Sequence, residues 1–387
     1  MPAAPVRAAV PALILACALL PRLAASDDPA ASGAPAQATD LNNQAVAEAQ
    51  AGRFEEGVRL LRQALALNPN DATARTNLSG ILTDWAGRLD GRGRVDEAIA
   101  ALRDAVQLDP ANGMALVHLG DLLYLRRSRM EEAVQAWRLA HGKVPDPVWQ
   151  AVATRITQAQ RDQLIERGYA ARQTAHFDIR FQQANEADVS MLERVLETAY
   201  ARLAEELGTS PSRLTVIIYT DRDLRRTYYQ RDWALGFYDG RIRLRLEELS
   251  QADVADMAAH ELAHAFLQHA YPGPLPTWVH EGYAQRQERE RSLPPEIARL
   301  EQGIQARTQW IPLKWLDRHF EQPTGREDVA RAYLEAHLAV DELIRRFGMK
   351  PFVAFLAQLS TGAGVEPAYD LAFAPSRWAR ADHGVFE

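Results

Sequence analysis

His260, Glu261 and His264 stand in the order H-E-L-A-H, and Glu281 follows after sixteen intervening residues. On a helix, positions four apart lie about 40° from one another, so both imidazoles face one ion. Glu261 stands about 100° further round and can reach a water on that ion without ligating it. Two histidines and a glutamate leave an open fourth position on Zn2+, the donor plan of catalytic zinc. The chemistry this pattern supports is hydrolysis: zinc acidifies a water and Glu261 carries its proton.

Two helices are needed to bring these side chains together. Residues Gln251–Ala270 have the apolar positions Ala258, Leu262, Ala263, Phe266 and Leu267 that bury a helix. The turn Tyr271-Pro272-Gly273-Pro274 stops it, and Pro276-Thr277 opens a second helix that carries Glu281. That helix runs on into the charge run Arg286–Arg291 (RQERER), which reads as a solvated end. Upstream, Asp239-Gly240 stands between two extended runs in Gly236–Leu246, the signature of a hairpin. Ile242, Leu244 and Leu246 are expected to face inward, and Arg241, Arg243 and Arg245 outward. Strands are expected at His176–Phe181 and Arg213–Tyr219, and helices at Glu186–Leu207, Asp221–Tyr229, Ala330–Phe347 and Pro351–Leu359.

The N-terminal half is different. Three similar stretches end at Pro69, Pro110 and Pro145, spaced by 41 and 35 residues. They resemble the tetratricopeptide repeat, a helix pair with a period of about 34 residues. The resemblance covers residues 41–145. The middle copy's extra residues fall in Trp85–Arg94, a Gly- and Arg-rich loop on this reading. Pro147–Arg172 has helical periodicity and reads as a cap on the last repeat. Such repeats bury their apolar faces by stacking, and the resemblance implies a protein partner.

Composition bounds the rest. The chain has 387 residues, enough for two cores. A net charge of −7 gives no support to nucleic-acid binding. Arg7, the apolar run Ala8–Leu20 and Leu23-Ala24-Ala25 fit a cleaved secretory signal over residues 1–25. An uncleaved anchor and lipidation at Cys17 are the alternatives. Cys17 is the only cysteine, so the mature chain has no disulfide. Residues 26–40 read as a flexible leader. No later stretch is apolar enough to cross a membrane. The expected location is an export compartment, most simply a bacterial periplasm.

Residues 174–360 resemble the gluzincin-type metallopeptidases of the peptidase MA-like group. The segments H-E-L-A-H and P-T-W-V-H-E-G-Y-A carry the resemblance. It implies an α+β zincin domain over residues 173–387, after an all-α repeat solenoid over 41–172. It implies Zn2+ on His260, His264 and Glu281, with Glu261 as general base and a peptide or protein as substrate. A Tyr or His from a later helix would bind the oxyanion, and Tyr333 resembles that position, with His337 four residues on. An edge strand would bind peptide by strand addition, and Arg243–Leu246 is the candidate. The sequence departs from thermolysin-like enzymes at Gln285, where an acidic residue would orient a ligand histidine. A backbone carbonyl or Asp256 is expected to do so instead. His269 and His280 are expected to point away from the metal. Two rival functions remain open. One is a repeat scaffold with a structural or inactive zinc site. The other is a zinc amidase acting on a cell-wall component.

Overall fold

The computed structural model describes residues 34–182, 186–227, 236–247, 249–271, 273–288, 302–303, 310–322, 324–373 and 381–382. The described chain falls into two compact units, divided between Arg167 and Gly168. The signal segment lies outside the described residues. The leader does so only in part, because residues 34–40 open the first helix. Ala34, Ala36 and Ala38 are strong helix formers, and Ala38 is buried.

The first unit is a run of seven helices: α1 (Ala34–Gln50), α2 (Phe54–Leu67), α3 (Ala72–Gly91), α4 (Val95–Leu108), α5 (Gly113–Arg127), α6 (Met130–Leu139) and α7 (Asp146–Ile165). Successive helices pack on one another. Asp71 and Asn112 cap α3 and α5 by accepting from the N–H groups of Ala74 and Ala115. Asn112 also donates to Ser79 Oγ (2.9 Å) and Thr83 Oγ1 (3.1 Å), and Ser79 donates to the Ala105 carbonyl. One cap therefore ties three helices and leaves these buried polar groups satisfied. Gly120 admits the fully buried Trp137, since a Cβ there would stand 2.4 Å from the indole ring.

One expectation fails in this unit. The stretch Trp85–Arg94 is not a loop as far as Gly91. It lengthens α3 to 20 residues, because Ala86 and Leu89 are buried and Arg126 holds Asp90 at 3.2 Å. The stretch 147–172 is helical over most of its length and packs on α6, as a cap would. The helix ends at Ile165, and residues 170–173 form a strand.

The second unit is mixed: β1 (Ala170–Gln173), β2 (Phe177–Phe181), α8 (Glu186–Leu207), β3 (Leu214–Tyr219), α9 (Asp221–Thr227), β4 (Gly236–Tyr238), β5 (Ile242–Arg245), α10 (Gln251–Ala270), α11 (Thr277–Arg286), α12 (Leu313–Glu321), α13 (Arg326–Phe347), α14 (Met349–Ser360) and α15 (Val365–Ala372). The small mixed sheet has the order β1-β2-β3-β5-β4. β2, β3 and β5 run parallel, while β1 and β4 close the edges antiparallel. Ile179, Val216, Ile218, Ile242 and Leu244 join Leu262, Phe266 and Leu267 in one core. Helix α15 adds Ala368 and Tyr369 to that core.

The sheet corrects the hairpin in two ways. β5 is not an edge strand: it pairs with β3 on one side and β4 on the other, and among the described residues β4 is the outermost strand on that side. The arginines do not form a solvated face. Arg241 and Arg243 are fully buried, and Arg245 is mostly so. Arg243 donates to Tyr219 Oη (2.6 Å) and to Asp239, and its guanidinium lies over the Tyr219 and Phe237 rings. Arg245 pairs with Asp221 at 2.5 Å. A guanidinium is weakly hydrated and stacks on aromatics, which suits it to such an interior.

Candidate metal centre

α10 places the two histidines. Its start is fixed locally by a capping box: Ser250 Oγ accepts from Asp253 N, and the Asp253 carboxylate accepts from Ser250 N. Its apolar positions then seat it against β4, β5 and α8. The helical spacing puts His260 Nε2 and His264 Nε2 3.2 Å apart.

α11 places Glu281, and it is held from outside at both ends and in the middle. Its N-cap, Pro276, makes no side-chain cap; Asp317 of α12 accepts from Trp278 N at 2.9 Å instead. At mid-helix, a Cβ on Gly282 would stand 2.2 Å from the Ala336 carbonyl oxygen of α13. Glycine is therefore required for this approach, and it adjoins the glutamate it positions. At the far end, Tyr283 Oη and Gln287 Nε2 donate to Glu206 of α8, and Arg286 pairs with Asp341 of α13 at 3.1 Å. So the charge run after Glu281 does not begin as a solvated end.

The three expected ligands come together. Glu281 Oε2 lies 3.4 Å from His264 Nε2 and 3.6 Å from His260 Nε2. Among the described residues, these three are the group whose donor atoms could hold a metal ion, all within 4.8 Å of one another. A tetrahedral zinc about 2.05 Å from each donor would set neighbouring donors about 3.3 Å apart. The observed edges of 3.2, 3.4 and 3.6 Å fit that ion before any rearrangement. His264 and Glu281 are buried, and His260 is 14% exposed.

Carboxylates surround His260. Burial works to lower the His260 pKa, but hydrogen bonds to Glu281 and Glu288 and the charges of Glu261 and Glu288 hold it well above the ordinary histidine value. Glu261 is buried on α10 next to it.

Sequence reasoning missed Glu288. Its Oε1 lies 2.8 Å from His260 Nδ1, the nitrogen that faces away from the other ligands. Helical spacing does not reveal it, because Glu288 lies beyond the C-cap Gln287 of α11 and its partner stands 28 residues back. His280 is also closer than expected. It is buried, with its ring centroid 5.8 Å from that of His264. Asp256 is buried one turn before His260, and His269 is half-buried at the end of α10. Tyr333 stands on α13, buried, with its ring edge-on to Phe320 of α12 at 5.1 Å. His337 is half-buried one turn further along α13.

Residues 42–90 and 83–146 match the family described as Tetratricopeptide repeat. The N-terminal region carries tetratricopeptide repeats. Helices α1 to α6 are their helix pairs, and repeats of this kind suggest a protein partner. No curated protein matches the chain. Among the described residues, no helix is long and apolar enough to cross a membrane.

Proposed function

We propose that the chain is an exported zinc metallopeptidase whose repeats recruit a protein partner or the substrate. The observation that carries the reading is the triangle of His260, His264 and Glu281 donors, with edges matching tetrahedral zinc and Glu261 adjoining one vertex. Zinc held by those three residues supplies a Lewis acid that acidifies water and polarises a carbonyl. Glu261 accepts the proton of the attacking water and returns it to the leaving amine. His264 and Glu281 sit in a buried pocket, where water competes little with these interactions. Tyr333 is the proposed oxyanion donor. It lies one turn before Ala336, the residue on which Gly282 seats the Glu281 helix. The apolar run Ala8–Leu20 with Ala24-Ala25 behind it supports export.

The repeats favour one rival, a scaffold with a structural or inactive zinc site. Glu261 separates the two, because a structural site needs no base. Glu261→Gln is expected to retain zinc and to lose hydrolysis of a peptide library. Undiminished hydrolysis in that variant contradicts the mechanism. Digestion of cell-wall fragments in place of peptides would favour the zinc amidase.

A further inference from the structure

We propose that Glu288 is a positioning residue for the zinc centre: its carboxylate fixes the ring of His260 so that Nε2 presents its lone pair to the metal. This rests on the zinc reading of the site. The imidazole has two nitrogens, and the proton held by one leaves the other free to ligate. His260 Nε2 faces the other two donors, at 3.2 Å from His264 Nε2 and 3.6 Å from Glu281 Oε2. His260 Nδ1 faces Glu288 Oε1 at 2.8 Å. An ionised carboxylate can only accept, so Nδ1 keeps its hydrogen, and Nε2 is the nitrogen left to ligate once a metal displaces its proton. The same bond stops rotation of the ring about its Cβ–Cγ axis. Glu288 cannot ligate the same ion while it makes this bond, because it lies on the far side of the ring.

Glu288 is outside the regular helix, just past the C-cap Gln287 of α11. Its place is nonetheless fixed, because Gln287 is. The Gln287 side chain is buried and donates to Glu206, and its backbone carbonyl accepts from Arg202 Nη2 at 3.2 Å. Helix α8 thus clamps the residue before Glu288, and Arg286–Asp341 anchors the one before that to α13. The clamp makes one short segment deliver two carboxylates to the centre. Glu281 ligates from inside the triangle, and Glu288 orients a histidine from behind it. Carboxylates in this role commonly contribute about 10- to 100-fold to metal affinity.

The test uses the full chain, stripped of metal and titrated with zinc against a chromogenic chelator. Glu288→Ala is expected to weaken zinc binding by about 10-fold or more. Glu288→Gln keeps an acceptor oxygen for Nδ1–H and is expected to fall between Glu288→Ala and the unaltered chain. In the zinc-loaded chain with 15N-labelled histidine, the His260 Nδ1–H resonance is expected to be slow to exchange, and to lose that protection in Glu288→Ala. Thermal unfolding of the metal-free forms is expected to be alike, which separates orientation from folding. If Glu288→Ala does not fold, the isosteric Glu288→Gln carries the test. Zinc affinity equal to the unaltered chain in the folded variants overturns the role of Glu288 while leaving the zinc reading intact. Failure of the unaltered chain to take up zinc overturns both.

Discussion

The two helices of the candidate metal centre are fixed by different means. α10 carries its own instructions: a capping box at Ser250, apolar positions at helical spacing, and both histidines on one face. α11 carries almost none. Its start is capped by Asp317 from α12, its middle is seated by Gly282 on α13, and its end is clamped by Glu206 and Arg202 from α8. In a site assembled this way, two candidate ligands are placed by their own helix and the third by distant parts of the chain.

The largest test of that contrast is Gly282→Val. Its side chain meets the Ala336 carbonyl and Val340, so α11 must move off α13. We expect a loss of about 3 kcal/mol in urea unfolding and a large drop in zinc affinity. Unchanged zinc binding in the folded variant would mean Glu281 is not positioned by this contact.

The wall that α11 leans on has its own pH dependence. Glu335, beside Ala336, is fully buried and accepts from Ile311 N and Arg331 Nε. Burial outweighs those bonds and raises its pKa from 4.5 to about 7. Between those values the folded chain holds a proton that the unfolded chain has released. Glu335 therefore makes stability fall as pH rises through that window, by at most about 1.4 kcal/mol per unit, and adds no slope above it. Glu335→Gln is expected to flatten this part of the profile in urea unfolding from pH 5 to 8. An identical slope in the variant would remove Glu335 as its source.

Smaller effects come from the caps. Asp317→Ala removes the borrowed cap of α11 and is expected to cost about 1 kcal/mol while weakening zinc binding. Ser250→Ala removes the local cap of α10 at a similar cost of about 1 kcal/mol, with zinc affinity nearly unchanged. The pair sharpens the comparison, since equal effects on zinc would show that the two helices do not differ in how they hold their ligands.

The same contrast explains what the sequence reveals. The convergence of His260, His264 and Glu281 is legible because H-E-L-A-H is a local pattern and the Pro/Gly turn returns the chain. The repeats are legible because they recur. Glu288 is hidden, since its partner lies 28 residues back and α8 holds it in place. Gly282 reads as part of a motif, but its reason is the backbone of α13. β1 is hidden because Ala170–Gln173 has no apolar alternation and acquires strand structure only by pairing with β2. Arg241 and Arg243 mislead because alternation predicts which residues share a face, and not whether the second face is buried too.

The central claim is tested most directly by the zinc content of the purified full chain, measured by elemental analysis beside His264→Ala and Glu281→Ala. The account predicts one zinc per chain, lost in both variants, with the metal-free forms still folded. The same zinc content in the variants, or none in the unaltered chain after equilibration with zinc, would contradict it.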